Sequence, residues 1–421
     1  MFKKTITDNG LRIITNKMPY TESVSIMFYI GTGSRHESSQ ESGISHFLEH
    51  ILFKGSAKYP TARDISEAIE GVGGVLNAST DRELTTYWCK VPAKDFELAL
   101  DVLSDFIRDP ILEDAEIEKE RQVILEELAM TYDIPSYRVE LLIDEIMWPN
   151  QQLGRDVGGT RESVSHIDKD MIINYMQRQY TTKNVVVSVA GNIGHEYVID
   201  TISKTFDSWR SNTPEEYYPS SDFQFNPSIG LITHQSEQAH LCLGFKGLPY
   251  DHEERNSLDV LNTIMGEGMS SRLFIRLREI EGLVYDVHTT TSHLHDCGSF
   301  IAYAGVDPKN AIKATQSILD EFSNVKDNVS DREMTKAIKY MQGRLLLRME
   351  DTRSVAAWFG AQEILHSQNL SVEDMLKDIE KLKPDNIRRV AKNILDQNKL
   401  SMAVVGPFSD ETNFSDILKI R

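Results

Sequence analysis

The sequence predicts an α+β protein made of two homologous domains, each an antiparallel-rich sheet with helices packed on one face. Three observations lead there. Two halves of about 200 residues echo one another, strands precede helices within each half, and a polar, proline-bearing stretch separates the halves.

In the first half, the alternating segment Thr85–Val91 reads as a strand and runs through residues 92–96 into a helical pattern over 97–107. In the second, Ser299–Val306 runs through 307–310 into a helical pattern over 311–319. Each half then closes on a similar apolar strand, at 185–193 and at 400–408. Between them Ser211–Asp222 is polar, carries Pro214 and Pro219 and shows no periodicity, so it reads as a linker. The expected domains are 1–214 and 215–421.

A chain of 421 residues is too long for one ordinary core. Its 40% hydrophobic and 26% charged residues are those of a globular protein, and no run approaches the ~18 apolar residues of a membrane span, so no membrane partner is expected. A net charge of −19 argues against nucleic acid, whose binding depends on neutralising phosphates with Lys and Arg. The amino end carries Lys3 and Lys4 without an apolar run behind them. Cys89, Cys242 and Cys297 are an odd number without Cys-x-x-Cys spacing and read as reduced thiols. A cytoplasmic location is expected from both features.

Residues 43–55 contain His46-Phe47-Leu48-Glu49-His50. On a helix, positions 46, 49 and 50 share one face, so both imidazoles can reach one ion while Glu49 stands beside it as a base for water. Catalytic zinc takes three protein ligands and leaves a fourth position open, so another donor is required. Residues 114–130 have Ile117, Ile124, Leu125 and Leu128 at helical spacing, with Glu120 and Glu127 seven apart on a shared face. Spacing alone leaves both glutamates open as ordinary residues of a solvated acidic helix.

These motifs resemble the pitrilysin/insulinase family of zinc peptidases, the inverzincins, and within it the half-length bacterial branch similar to the mitochondrial processing peptidase β subunit. The likeness runs through nearly the whole chain. It includes Gly73-Gly-Val-Leu-Asn77-Ala78-Ser-Thr80, the Leu153–Gly159 loop, and Ser270-Ser-Arg-Leu-Phe followed by Gly282-Leu-Val-Tyr285. The resemblance implies Glu127, 77 residues after His50, as third ligand of one Zn2+ per chain, and Glu120 as a supporting carboxylate. It implies Asn77, Ala78 and Thr80 on an edge strand to which peptide substrates add, with Phe47 also counted as a substrate contact. It further implies Arg278 and Tyr285 as donors to the oxyanion of the reaction. The second half has no such motif; its corresponding region is Leu258–Met265.

The function implied is that of a zinc metalloendopeptidase acting on extended or unfolded peptides, working as a homodimer or as a heterodimer with a similar chain. Two other readings remain: a non-catalytic partner subunit, and a dedicated presequence-processing peptidase. The second is weakened because the positions linked to arginine recognition hold Tyr137 and Leu141.

Overall fold

The computed structural model describes residues 2–222, 224–366 and 370–420. Its residues gather into two compact units. The first comprises residues 1–128, 156–218 and 346–371; the second comprises 129–155, 219–345 and 372–421.

Strands of the first unit are β1 (Phe2–Ile6), β2 (Arg12–Lys17), β3 (Ser23–Ile30), β4 (Val75–Thr80), β5 (Thr85–Pro92) and β6 (Val185–Gly191). They form one sheet in the order β1-β2-β6-β3-β5-β4, antiparallel except for the parallel pair β2/β6. Those of the second are β7 (Ser228–Thr233), β8 (Ala239–Lys246), β9 (Val284–His293), β10 (Gly298–Val306) and β11 (Ser401–Gly406). Their order is β7-β11-β8-β10-β9, again with one parallel pair, β7/β11. Stripped of β1, the first sheet has the same order and the same parallel pair as the second, so the repeat seen in the sequence is a repeat of topology.

Period-two alternation divides each sheet between two cores. In β3, Val24, Ile26, Phe28 and Ile30 face a core shared with Leu48, Ile51, Leu103, Phe106 and Ile172, which come from helices of the same half. Met27 and Tyr29 point the other way, against Val355, Ala356 and Phe359 of the helix Thr352–His366. The fit is close: a Cβ on Gly360 would stand 2.4 Å from the Tyr29 ring, and Ser188 donates a hydrogen bond of 2.7 Å to the Ala356 carbonyl. In the second unit Cys242, Tyr303, Ala403 and Val405 likewise meet Val139, Leu142, Ile143 and Met147 of the helix Pro135–Met147.

The contiguous halves 1–214 and 215–421 therefore differ from the compact units. Residues 129–155, early in the sequence, cover the second sheet, and residues 346–371, late in it, cover the first. Each sheet carries one such helix on the face opposite its own helices. This exchange leaves no local signal, because an amphipathic stripe shows that a helix is buried but not against which sheet.

Candidate metal centre

The helix Ile44–Leu52 begins at Gly43, whose φ of 91° is left-handed and suits glycine. Its first turn is held by a buried carboxylate distant from any capping position: Glu37 accepts from the Gly43 N–H at 2.7 Å and from the Ser45 N–H at 2.9 Å. Burial pushes the Glu37 carboxyl up to about 7, against the pull of those two amides. Tyr175 adds a side-chain tie, with its hydroxyl 2.9 Å from Ser45 Oγ and 2.7 Å from Thr32 Oγ1.

The Gly158-Gly159 turn packs on the same point. A Cβ on Gly159, whose φ is 83°, would lie 2.4 Å from the Ser42 carbonyl oxygen, and one on Gly43 would lie 2.5 Å from that of Gly158. Two backbones approach here at a distance that only glycines permit.

On this helix Ile44, Phe47, Leu48, Ile51 and Leu52 are buried, and His46, Glu49 and His50 are left on the open side. The helix Asp114–Asp133 buries Ile117, Glu120, Ile124 and Leu128. Together the two helices bring His46, His50 and Glu127 to one point. His46 Nε2 and His50 Nε2 are 3.3 Å apart, and Glu127 Oε2 lies 3.5 Å from His50 Nε2 and 3.9 Å from His46 Nε2. A tetrahedral zinc with bonds of ~2.0–2.1 Å holds its ligand atoms about 3.3 Å apart. These three are the group among the described residues able to hold a metal ion. Two ring nitrogens facing each other with a carboxylate beside them form a donor set suited to a cation, so the residues fit zinc.

Electrostatics agree with that use. Burial, reinforced by the neighbouring His50, lowers His46 to about 4 and keeps it neutral, the ligating form, at physiological pH. His50 turns its second nitrogen, Nδ1, to Glu120 Oε2 at 3.2 Å, while Glu120 Oε1 meets Lys54 Nζ at 2.7 Å. Burial raises the Glu49 carboxyl, while a hydrogen bond from Thr80 Oγ1 to Oε2, 2.7 Å long, opposes that shift.

Phe47 is placed differently from expectation, and the other expected residues lie as follows. Phe47 is fully buried in the core with the Arg121 guanidinium over its ring, so it is not a substrate contact; one position on from His46, it is turned about 100° round the helix, away from the open side. Asn77 and Ala78 lie on β4, the outermost strand of the first sheet, where Asn77 Oδ1 accepts from the Ala78 N–H at 2.7 Å. Arg278 and Tyr285 belong to the second unit. There the Arg278 guanidinium sits over the Phe274 ring and donates to the Tyr285 carbonyl, and Tyr285 is 56% exposed. Arg278 stands on a π-helix, Phe274–Ile280, a rare conformation that recurs at functional sites. Leu258–Met265, the counterpart of the motif, lies in the helix Arg255–Gly266, where residues 260–266 are all buried.

Glu37 and Lys54 were not anticipated from the sequence. Lys54 follows His50 by four positions, a spacing that points to a shared face. For Glu37, six residues ahead of Gly43, no capping pattern applies.

Comparison with known proteins is consistent with this geometry. The family model for insulinase (peptidase family M16) matches residues 12–161, and that for the peptidase M16 inactive domain matches 166–341. A protein of Streptomyces coelicolor named an uncharacterized zinc protease is 36% identical over 97% of this chain and 90% of its own length. The Bacillus subtilis protein named uncharacterized zinc protease YmxG is 34% identical over 97% of this chain and 98% of its own. In fold, a crystal structure of a protease from Helicobacter pylori superposes with a TM-score of 0.90 at 21% identity, covering 96% of this chain and 99% of the other. No helix among the described residues is long and apolar enough to cross a membrane.

Proposed function

Because the chain belongs to the insulinase family, peptidase family M16, we propose that it is a zinc metalloendopeptidase that hydrolyses extended or unfolded peptides. The observation that carries the reading is the convergence of His46 Nε2, His50 Nε2 and Glu127 Oε2 within 3.9 Å of one another, with Glu49 on the same helix face.

When bound, zinc supplies Lewis-acid polarisation of the scissile carbonyl and makes water at the site more acidic. Glu49 takes the proton of the attacking water and delivers it to the leaving amine. Glu120 holds the His50 ring by its Nδ1 atom, which orients Nε2 and raises its basicity. Arg278 and Tyr285 are the proposed donors to the developing oxyanion.

An extended peptide would add to the outer edge of β4 through its main chain. Support for this comes from the position of β4 at the end of the sheet and from its alternating exposure, with Val75, Asn77 and Ser79 exposed. Backbone pairing of this kind reads chain extension more than side chains. The working form is proposed to pair two such chains, either two copies or this chain with a similar one.

The test is zinc content per chain together with cleavage of an unfolded peptide by the wild type and by Glu49→Gln. Zinc near one per chain in both proteins, with turnover falling by about 100-fold or more in the variant, is expected. A variant that keeps a tenth of the activity removes Glu49 from the base role. A zinc-loaded wild type that cleaves nothing favours the non-catalytic partner reading.

A further inference from the structure

We propose that Thr80 is a positioning residue for the general base: its hydroxyl holds one oxygen of Glu49 so that the other is presented to the attacking water. This inference rests on the peptidase reading above. The resemblance alone put Thr80 among the substrate contacts, and the geometry assigns it differently.

The contact is a hydrogen bond of 2.7 Å from Thr80 Oγ1 to Glu49 Oε2. Among the described residues no other side chain donates to this carboxylate. A threonine hydroxyl has one proton, so the longer approach of 3.5 Å from Thr80 Oγ1 to the Ser45 carbonyl does not compete with it. Oε2 is thereby engaged, and the other oxygen is the one assigned to substrate water in this proposal.

Orientation along β4 supports the same division of labour. Successive side chains of a strand point to opposite faces. Leu76, Ala78 and Thr80 are the half-buried set, whereas Val75, Asn77 and Ser79 are exposed. Thr80 is thus on the inner face, towards the motif helix, and not on the outward row.

A positioning residue must itself be fixed, and Thr80 is fixed from three directions. It forms the last pair of the β4/β5 ladder, opposite Thr85. The turn that follows is closed by the Asp81 N–H donating to the Leu84 carbonyl at 2.8 Å. Residues 33–35 then clamp that turn from outside: the Ser34 and Arg35 N–H groups donate to the Asp81 and Arg82 carbonyls at 3.2 and 2.8 Å. A Cβ on Gly33 would come within 2.0 Å of the Asp81 carbonyl oxygen, so the two backbones are in direct contact. Fully buried Arg35 pairs with Glu83 at 2.5 Å and completes the clamp. Thr80 is also β-branched, which restricts its own χ1.

Glu49, by contrast, is an unbranched side chain with several rotatable bonds on the open side of its helix. Without a donor at Oε2 its carboxylate samples rotamers that do not face the water, and misplacement of a reacting group by about 1 Å can cost on the order of 100-fold in rate.

The experiment compares the wild type with Thr80→Val, which keeps the shape and removes the donor, and Thr80→Ser, which keeps the donor. Each is measured for kcat and KM on a quenched-fluorescent unfolded peptide, for zinc per chain and for thermal midpoint. Crystal structures of the zinc-loaded proteins report the Glu49 rotamer independently of turnover. For T80V we expect kcat to fall by about 10- to 100-fold with KM within twofold, zinc and midpoint unchanged, and the Glu49 carboxylate rotated away. T80S should recover most of the rate. A T80V enzyme with wild-type kcat, a loss confined to KM, or a loss of zinc or of folding would each overturn the proposal. Should the wild type cleave no peptide, the peptidase reading fails separately, and an unmoved Glu49 carboxylate in the T80V crystal would still overturn the role given to Thr80.

Discussion

Lys54 Nζ lies 2.7 Å from Glu120 Oε1, and the Glu120 side chain is only 6% exposed. Its second oxygen is the one that meets His50 Nδ1 at 3.2 Å. A single buried carboxylate is thus held between a cation and the ring of a candidate metal ligand. Such a pair would orient His50, because a carboxylate held on one ring nitrogen leaves the other to face an ion.

Glu120→Gln should weaken zinc binding by about 10- to 100-fold, the usual effect of losing such an outer carboxylate. Lys54→Met should weaken it by a smaller factor, since the carboxylate remains but loses its anchor. Competition with a chromophoric chelator measures both; affinities equal to the wild type in both variants would show that this pair does not serve the metal.

Replacing a ligand should have a larger effect. His50→Ala and Glu127→Gln should each reduce bound zinc to less than about a tenth of a mole per chain after dialysis, because two protein donors rarely retain the ion. Elemental analysis of dialysed protein checks this, with far-ultraviolet circular dichroism to confirm that the fold survives. Full zinc in Glu127→Gln would pass the third position to another group.

Glu37 should make the stability of the zinc-free protein pH-dependent. Its carboxyl has an ordinary value of 4.5 and is raised to about 7 by burial. Between those values the folded state binds more protons than the unfolded one, so the Glu37 contribution becomes less favourable as pH rises. The shift corresponds to roughly 3 kcal/mol across that window. Glu37→Gln stays neutral and should lack this decline. Urea unfolding of both proteins at pH 4.5, 5.5 and 7 should show the wild type losing ground to the variant as pH increases, and parallel trends would refute the assignment.

Gly159→Ala tests the contact that seats the motif helix. Alanine at a φ of 83°, with its Cβ 2.4 Å from a carbonyl oxygen, should destabilise by more than ~1 kcal/mol. Because the displaced backbone is Ser42-Gly43, at the start of the helix that carries His46, zinc affinity should fall as well. Thermal unfolding and chelator competition report the two effects. Unchanged values in both would mean that the turn yields without moving the helix.

Much of the architecture was legible because it is local. The period-two pattern of Thr85–Val91 and the 3.6-residue pattern that follows it define β5 and its helix, and their echo at 299–319 defines β10 and the next. The stretch 211–222 carries no regular element in its described residues, in keeping with its prolines. Cys89, Cys242 and Cys297 are buried, and none of the three is in a disulfide among the described residues. The exchanged helices were not legible, since Val355-Ala356 and Leu142-Ile143 are equally apolar whichever sheet they cover.

The division at the metal centre follows the same physics. His46, Glu49 and His50 share a face by helical geometry alone, so the sequence determined that two imidazoles and a carboxylate would stand together. Glu120 and Glu127 share a face too, and periodicity treats them alike; only the packing of one helix on another turned Glu120 inward to His50 Nδ1 and left Glu127 beside both Nε2 atoms. Tertiary structure likewise decided that Glu37 would hold the first turn and that Thr80 would hold Glu49. Contacts outside the regular spacings of a helix or strand depend on how whole elements dock, and that is set by the summed burial of both surfaces, not by any pattern along the chain.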